Sequence, residues 1–281
     1  MVTFIPNSCA RAARRISLLC FVLAFFSTAA FGQSPAKTGL PFGKGEELLF
    51  QAEFNRSLLR GVNVGELHFT TSLVPEGNSN VLRVVGDVSA KGLLLRMIGS
   101  QYHLRVESIT NPDSFTLLRT TKLEEDRRRT RTSEAIFDHA TRKVTWTDRD
   151  KDQVQPPAST TLEFTEPIQD VLTVLYFVRT QKLQPGQTFE VPLVDNGRVY
   201  RCTVYVMERK RIKTILGRVD VVRVEPAIFG SDRVVRSRGT LSLWVTDDAR
   251  RVPVKAQVKV PAGTFDITLK KSSYSKADLS R

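Results

Sequence analysis

Leu241-Ser242-Leu243-Trp244-Val245-Thr246-Asp247-Asp248-Ala249-Arg250-Arg251-Val252-Pro253-Val254-Lys255-Ala256-Gln257-Val258 is the stretch on which the fold turns. Leu241, Leu243 and Val245 occupy every second position, and so do Val252, Val254, Ala256 and Val258. A period of two places such residues on one face of a strand and leaves the alternate positions to the other face. The acidic and basic residues from Asp247 to Arg251 turn the chain between the two runs, so the segment reads as an antiparallel hairpin. Pro253 lacks the N–H that an interior ladder needs, which places it at a strand start or edge.

The same alternation extends outward in both directions. It recurs at Leu48, Phe50, Ala52 and Phe54; at Leu67, Phe69, Thr71 and Leu73; at Val144 and Trp146; at Phe189, Val191 and Leu193; and at Phe265, Ile267 and Leu269. Asp195-Asn196-Gly197 supplies residues that tolerate the positive φ of a tight hairpin. The predicted fold class is mainly β: a curved antiparallel sheet, a half-barrel-like meander, with one main helix packed against it. That helix is read over Ile168 to Thr180, where Ile168, Val171, Leu172, Leu175 and Val178 or Arg179 follow helical spacing after Pro167 and before Gln184-Pro185-Gly186. Lys91 to Ile98 is a second apolar run, either one or two helical turns or a buried strand.

At the N-terminus, Arg11, Arg14 and Arg15 precede the apolar stretch Ile16 to Phe26 and the small residues Ser27 to Ala30. This order predicts a cleaved secretory signal peptide over residues 1–32, and the apolar run is shorter than the roughly 20 residues a membrane span requires. Residues 33–45 then form a flexible lead-in, 46–270 a single β-rich domain and 271–281 a polar tail. The mature chain is expected in the periplasm, with no transmembrane span after cleavage. The leader holds three of the arginines, so the formal charge of +13 falls to +10 on cleavage. It also holds Cys9 and Cys20, and the remaining Cys202 has no partner for an internal disulfide and reads as a buried hydrophobe.

Sites of chemistry are sparse. Asp247 and Asp248 could act as a paired acid and base, but in a turn beside Arg250 and Arg251 they read as a salt-bridged hairpin tip. His68, His103 and His139 are scattered singly, without metal-ligand spacing. No catalytic residue, metal ligand or cofactor is therefore assigned. Arg127, Arg128, Arg129 and Arg131 form the densest basic run, either a solvated strand surface or a site for an anionic envelope component. Nucleic acid is not an expected partner, because no stacking aromatics accompany the arginines.

The run from Gln169 to Arg179 (Gln169-Asp170-Val171-Leu172-Thr173-Val174-Leu175-Tyr176-Phe177-Val178-Arg179), then Leu183, Pro185-Gly186, Gly217-Arg218-Val219, the hairpin quoted above and Gly263, resemble the bacterial domain of unknown function 3108 family. Gly45-Glu46-Glu47-Leu48-Leu49-Phe50 and Val64-Gly65-Glu66-Leu67 fit its opening strands. The resemblance implies an exported, β-rich envelope protein and brings no established activity. The Trp-bearing hairpin is also similar to lipoprotein carriers of the LolA and LolB type, which implies an apolar hollow able to hold acyl chains. The leading expectation is thus a non-enzymatic protein of envelope biogenesis that takes a lipid or other apolar ligand. Tyr176, Arg179 and Trp244 are its candidate ligand-binding residues. A basic-faced scaffold for envelope components is the alternative, and a hydrolase built on converging Asp247, Asp248 and histidines a third.

Overall fold

Where alternation dominates the sequence, the computed structural model forms strands, and it describes residues 39–57, 59–90, 102–127, 129–151 and 156–274. The leader at 1–32, the apolar run from Lys91 to Ile98, Arg128 and the chain beyond 274 lie outside the described residues. The strands in chain order are β1 (Glu47–Arg56), β2 (Leu59–Glu76), β3 (Ser79–Ala90), β4 (Tyr102–Thr110), β5 (Leu117–Asp126), β6 (Thr130–Asp138), β7 (Lys143–Asp150) and β8 (Ala158–Glu163). After helix α1 (Thr173–Thr180) come β9 (Thr188–Asp195), β10 (Arg198–Thr214), β11 (Gly217–Pro226), β12 (Thr240–Thr246), β13 (Pro253–Val260) and β14 (Gly263–Ser272).

All 14 strands belong to one antiparallel sheet of order β8-β7-β6-β5-β4-β3-β2-β1-β14-β13-β12-β11-β10-β9. Each half is a meander, and the halves join where the first strand pairs with the last through Phe50↔Leu269 and Ala52↔Ile267. Accumulated right-handed twist curls such a long sheet. The curl brings the β9 end back against the opposite arm: Lys122 of β5 reaches Asp195 at 3.1 Å, and Val194 shares a core cluster with Phe137, Val144 and Trp146. The edges β8 and β9 do not pair, so the sheet stops short of a closed barrel.

The helix is shorter than its periodicity predicts. Residues from Ile168 to Leu172 precede α1 and patch the seam instead: Gln169 N–H donates to the Pro192 carbonyl, and Val194 N–H donates to the Gln169 carbonyl. A backbone bridge to β9 thus competes successfully with the first helical turn, while the apolar side chains keep a spacing that also suits a helix. Of the expected lead-in at 33–45, residues 39–45 are described. Phe42 is buried edge-on against Phe115 and Tyr176 at centroid distances of 5.1 and 4.9 Å.

Candidate apolar ligand site

The inner face of the sheet is built in rows that the register fixes. One row crosses Ala52, Ile267, Ala256, Leu243 and Val224 on β1, β14, β13, β12 and β11; the next crosses Phe54, Phe265, Val258 and Leu241. Helix α1 lies across this face and closes one end of it.

Two buried polar anchors fix the helix. Asp170 accepts from the Leu172 and Thr173 amides at 2.8 and 2.6 Å, satisfying donors that a helix start leaves free. Its other oxygen accepts from Ser108 of β4 and Thr120 of β5, each at 2.5 Å, so one carboxylate ties the helix start to two strands. At the other end Arg179 donates both terminal nitrogens to the Glu46 carboxylate at 2.7 and 2.6 Å, with both side chains at 0% exposure. Arg179 also donates to the Arg250 carbonyl, and Arg251 donates back to the Arg179 carbonyl at 2.6 Å. Burial opposes the Arg179 charge, but Glu46 outweighs it and leaves the guanidinium pKa above its ordinary value. The neighbouring Tyr176 phenol is pushed upward, first by burial and then by the Glu46 charge.

Above α1 the sheet does not fill. A hollow of about 330 Å³ separates Val174 and Leu175 of the helix from Phe69, Leu243, Ala256 and Ile267 of the sheet, and every residue that lines it is apolar. Its size falls within the about 300–1,000 Å³ of small-molecule pockets. Several lining residues, including Leu67, Leu175, Leu241 and Val258, remain partly exposed, so the hollow is open to solvent on one side. Ile228 and Val234, from the irregular segment between β11 and β12, complete the wall. That segment has no alternation, and nothing in its sequence periodicity marks it as part of a site.

None of the three candidate ligand-binding residues lines this hollow. Tyr176 and Arg179 sit beneath it as the anchor, because helical spacing turns them toward Phe42 and Glu46 while Val174, Leu175 and Val178 face the space. Trp244 lies on the opposite face of β12 from Leu243 and Val245, covered by Lys210 and Lys255 at 5.0 and 5.4 Å from its ring. The alternation that makes β12 legible is what directs Trp244 away.

The basic run is largely committed to its neighbours. Arg129 pairs with Asp150 at 2.6 Å and Arg131 with Asp148 at 2.5 Å, whereas Arg127 is exposed at the hairpin tip. Asp247 pairs with Arg209 at 2.6 Å and Asp248 caps the Arg250 and Arg251 amides, so both acids serve the hairpin. His68 contacts Glu47, His103 bridges Asp87 and Glu125, and His139 meets the Leu117 carbonyl. These groups do not converge. Cys202 packs among Val191, Val204 and Val224, and burial pushes its thiol up to about 11.

Among the described residues no helix is long and apolar enough to cross a membrane. No curated protein matches the chain. A beta-barrel-like protein of domain of unknown function DUF1849 from Brucella abortus is similar in fold, with TM-score 0.51 at 8% identity over 82% of this chain and 97% of that one. A protein of Bacteroides fragilis NCTC 9343 with a YmcC-like fold aligns at TM-score 0.31 and 7% identity over 84% and 99% of the two chains. The family model described as Protein of unknown function (DUF3108) matches residues 50–270.

Proposed function

The chain belongs to the family described as Protein of unknown function (DUF3108), and from that premise we propose that it is a non-enzymatic binding protein of the bacterial periplasm that holds an acyl chain or similar apolar ligand between α1 and the inner face of its sheet. The observation that carries this reading is the hollow of about 330 Å³ walled entirely by apolar side chains. An apolar cavity of roughly 150 Å³ stays dry and binds benzene, so a space of this size and character suits a longer hydrocarbon. Each methylene moved from water into it is worth about 0.8 kcal/mol. The periplasmic assignment rests on the charged, apolar and small-residue order of residues 1–32.

Organic extraction and mass spectrometry of the protein purified from the envelope fraction test the proposal directly. A copurifying amphiphile is expected, together with saturable binding of a fluorescent fatty-acid analogue that Leu241→Glu weakens at least tenfold. Absence of both, in a protein whose β-sheet signal is intact, would remove the reading.

A further inference from the structure

The hollow has a closed end and an open end, and they differ in charge. At the closed end α1 is clamped to Glu46 before β1 and to the turn after β12. The apolar rows lead away from that clamp towards Phe54, Phe265, Val258 and Leu241, which lie at the opposite ends of their strands. The segment 227–239 borders this open end. It leaves β11 through an Ala227 amide bond to the Thr203 carbonyl at 2.8 Å and is pinned by Arg233 to the Arg201 carbonyl at 2.7 Å. It folds on itself through Gly230–Val235 and Val235–Ile228 backbone bonds of 3.0 and 2.9 Å. Before re-entering the sheet it passes Gly239, where a Cβ would stand 2.8 Å from the Phe229 ring and 2.7 Å from the Lys259 carbonyl. The segment is therefore seated rather than loose.

Its composition is as informative as its place. Ile228 and Val234 contribute to the wall of the hollow, and Leu241 follows as the next lining residue. Between Val234 and Leu241 the chain presents Arg236 and Arg238, both exposed and both without a hydrogen bond or ion pair to any described side chain. Most other arginines of the sheet surface sit in ion pairs with Asp or Glu. Free guanidinium groups at the lip of an apolar hollow suit a ligand whose tail enters the space and whose anionic head stays at the entrance.

We propose that the ligand is an anionic amphiphile, with a carboxylate or phosphate head met by Arg236 and Arg238. This rests on the apolar-ligand reading above and specifies the chemistry of its occupant. Calorimetric titration of the full-length purified protein with decanoate, 1-decanol and acetate separates the contributions of head and tail. Decanoate is expected to bind at least tenfold more tightly than 1-decanol, with that advantage shrinking as salt is added, and acetate alone is not expected to bind. Arg236→Gln with Arg238→Gln should remove most of the advantage while leaving 1-decanol affinity unchanged, which also reports that the hollow is intact. Arg218→Gln, at the opposite end of the sheet, should change neither. Equal binding of decanoate and 1-decanol, or a double variant that keeps the preference, would overturn the head-group assignment and leave the hollow standing. Failure of both ligands to bind would instead remove the apolar-ligand reading, and acetate binding as tightly as decanoate would overturn the amphiphile in favour of a simple anion.

Discussion

Glu46 and Arg179 meet where water is excluded, so each charge depends on the other. Removing one partner of such a pair costs about 3–5 kcal/mol, because the survivor is left buried and uncompensated, whereas replacing both with apolar residues is often neutral or stabilising. Glu46→Gln should therefore lower the urea midpoint by an amount equivalent to about 3 kcal/mol or more, and Glu46→Leu combined with Arg179→Met should recover most of it. A double-variant loss equal to the sum of the separate Glu46→Leu and Arg179→Met losses would show that the two residues act independently. His103 offers a pH-dependent counterpart. Its pKa is raised, first by the bond to Glu125 and then by that to Asp87. A raised folded-state value means that the protonated ring stabilises the fold. The contribution is complete below the ordinary histidine value of 6.5 and is lost as pH rises through the raised one. Unfolding measured from pH 5 to 9 should show this loss in the parent protein and not in His103→Gln.

Among the elements, the helix lead-in approaches β3 closely. A Cβ on Gly86 would lie 2.9 Å from Leu172 and 3.2 Å from the Phe69 ring, so the sheet accepts the segment before α1 only where a side chain is missing. Gly86→Val should cost about 1–3 kcal/mol by overpacking, and Leu172→Ala in the same chain should restore part of the loss, both read from thermal unfolding. This element also shows how far the sequence could be read. The strands were legible because Leu48, Phe50, Ala52 and their counterparts obey a period that only one structure explains, and the hairpin at Asp247-Asp248 was legible from its turn residues. The start of α1 was not, since Ile168 and Val171 carry a helical spacing while the Gln169 backbone bonds to β9, a partner more than 20 residues away that no local pattern announces. The hollow entered only through the likeness to LolA and LolB carriers, and not as a residue set. Tyr176, Arg179 and Trp244 drew attention as polar or aromatic residues, whereas the walls are ordinary aliphatic residues such as Leu243 and Ala256, whose role depends on being left uncovered.

For the molecule as a whole, the decisive contact joins the two ends of the described domain. β1 and β14 pair along eight residue positions, from Leu48↔Ser272 to Asn55↔Thr264, in the middle of the sheet rather than at an edge. Loop closure of that span must occur before either half-meander gains its neighbour, so folding is dominated by non-local contacts and belongs in the slow, millisecond-to-second or longer range of β proteins. The same topology makes the last strand indispensable. A chain ending before Gly263 would lose Phe265, Ile267 and Leu269 from the inner face and would expose the facing edges of β1 and β13, leaving Phe50 and Ala256 with water where they had an apolar neighbour. Such a truncation should give no cooperative thermal transition by circular dichroism and should aggregate, since two bare central edges are templates for intermolecular pairing. Retention of a cooperative transition would mean that the meander β1–β8 and the meander from β9 onward fold as separate units. The hollow, which draws Phe50 from one and Leu243 from the other, would then be assembled late, by their docking.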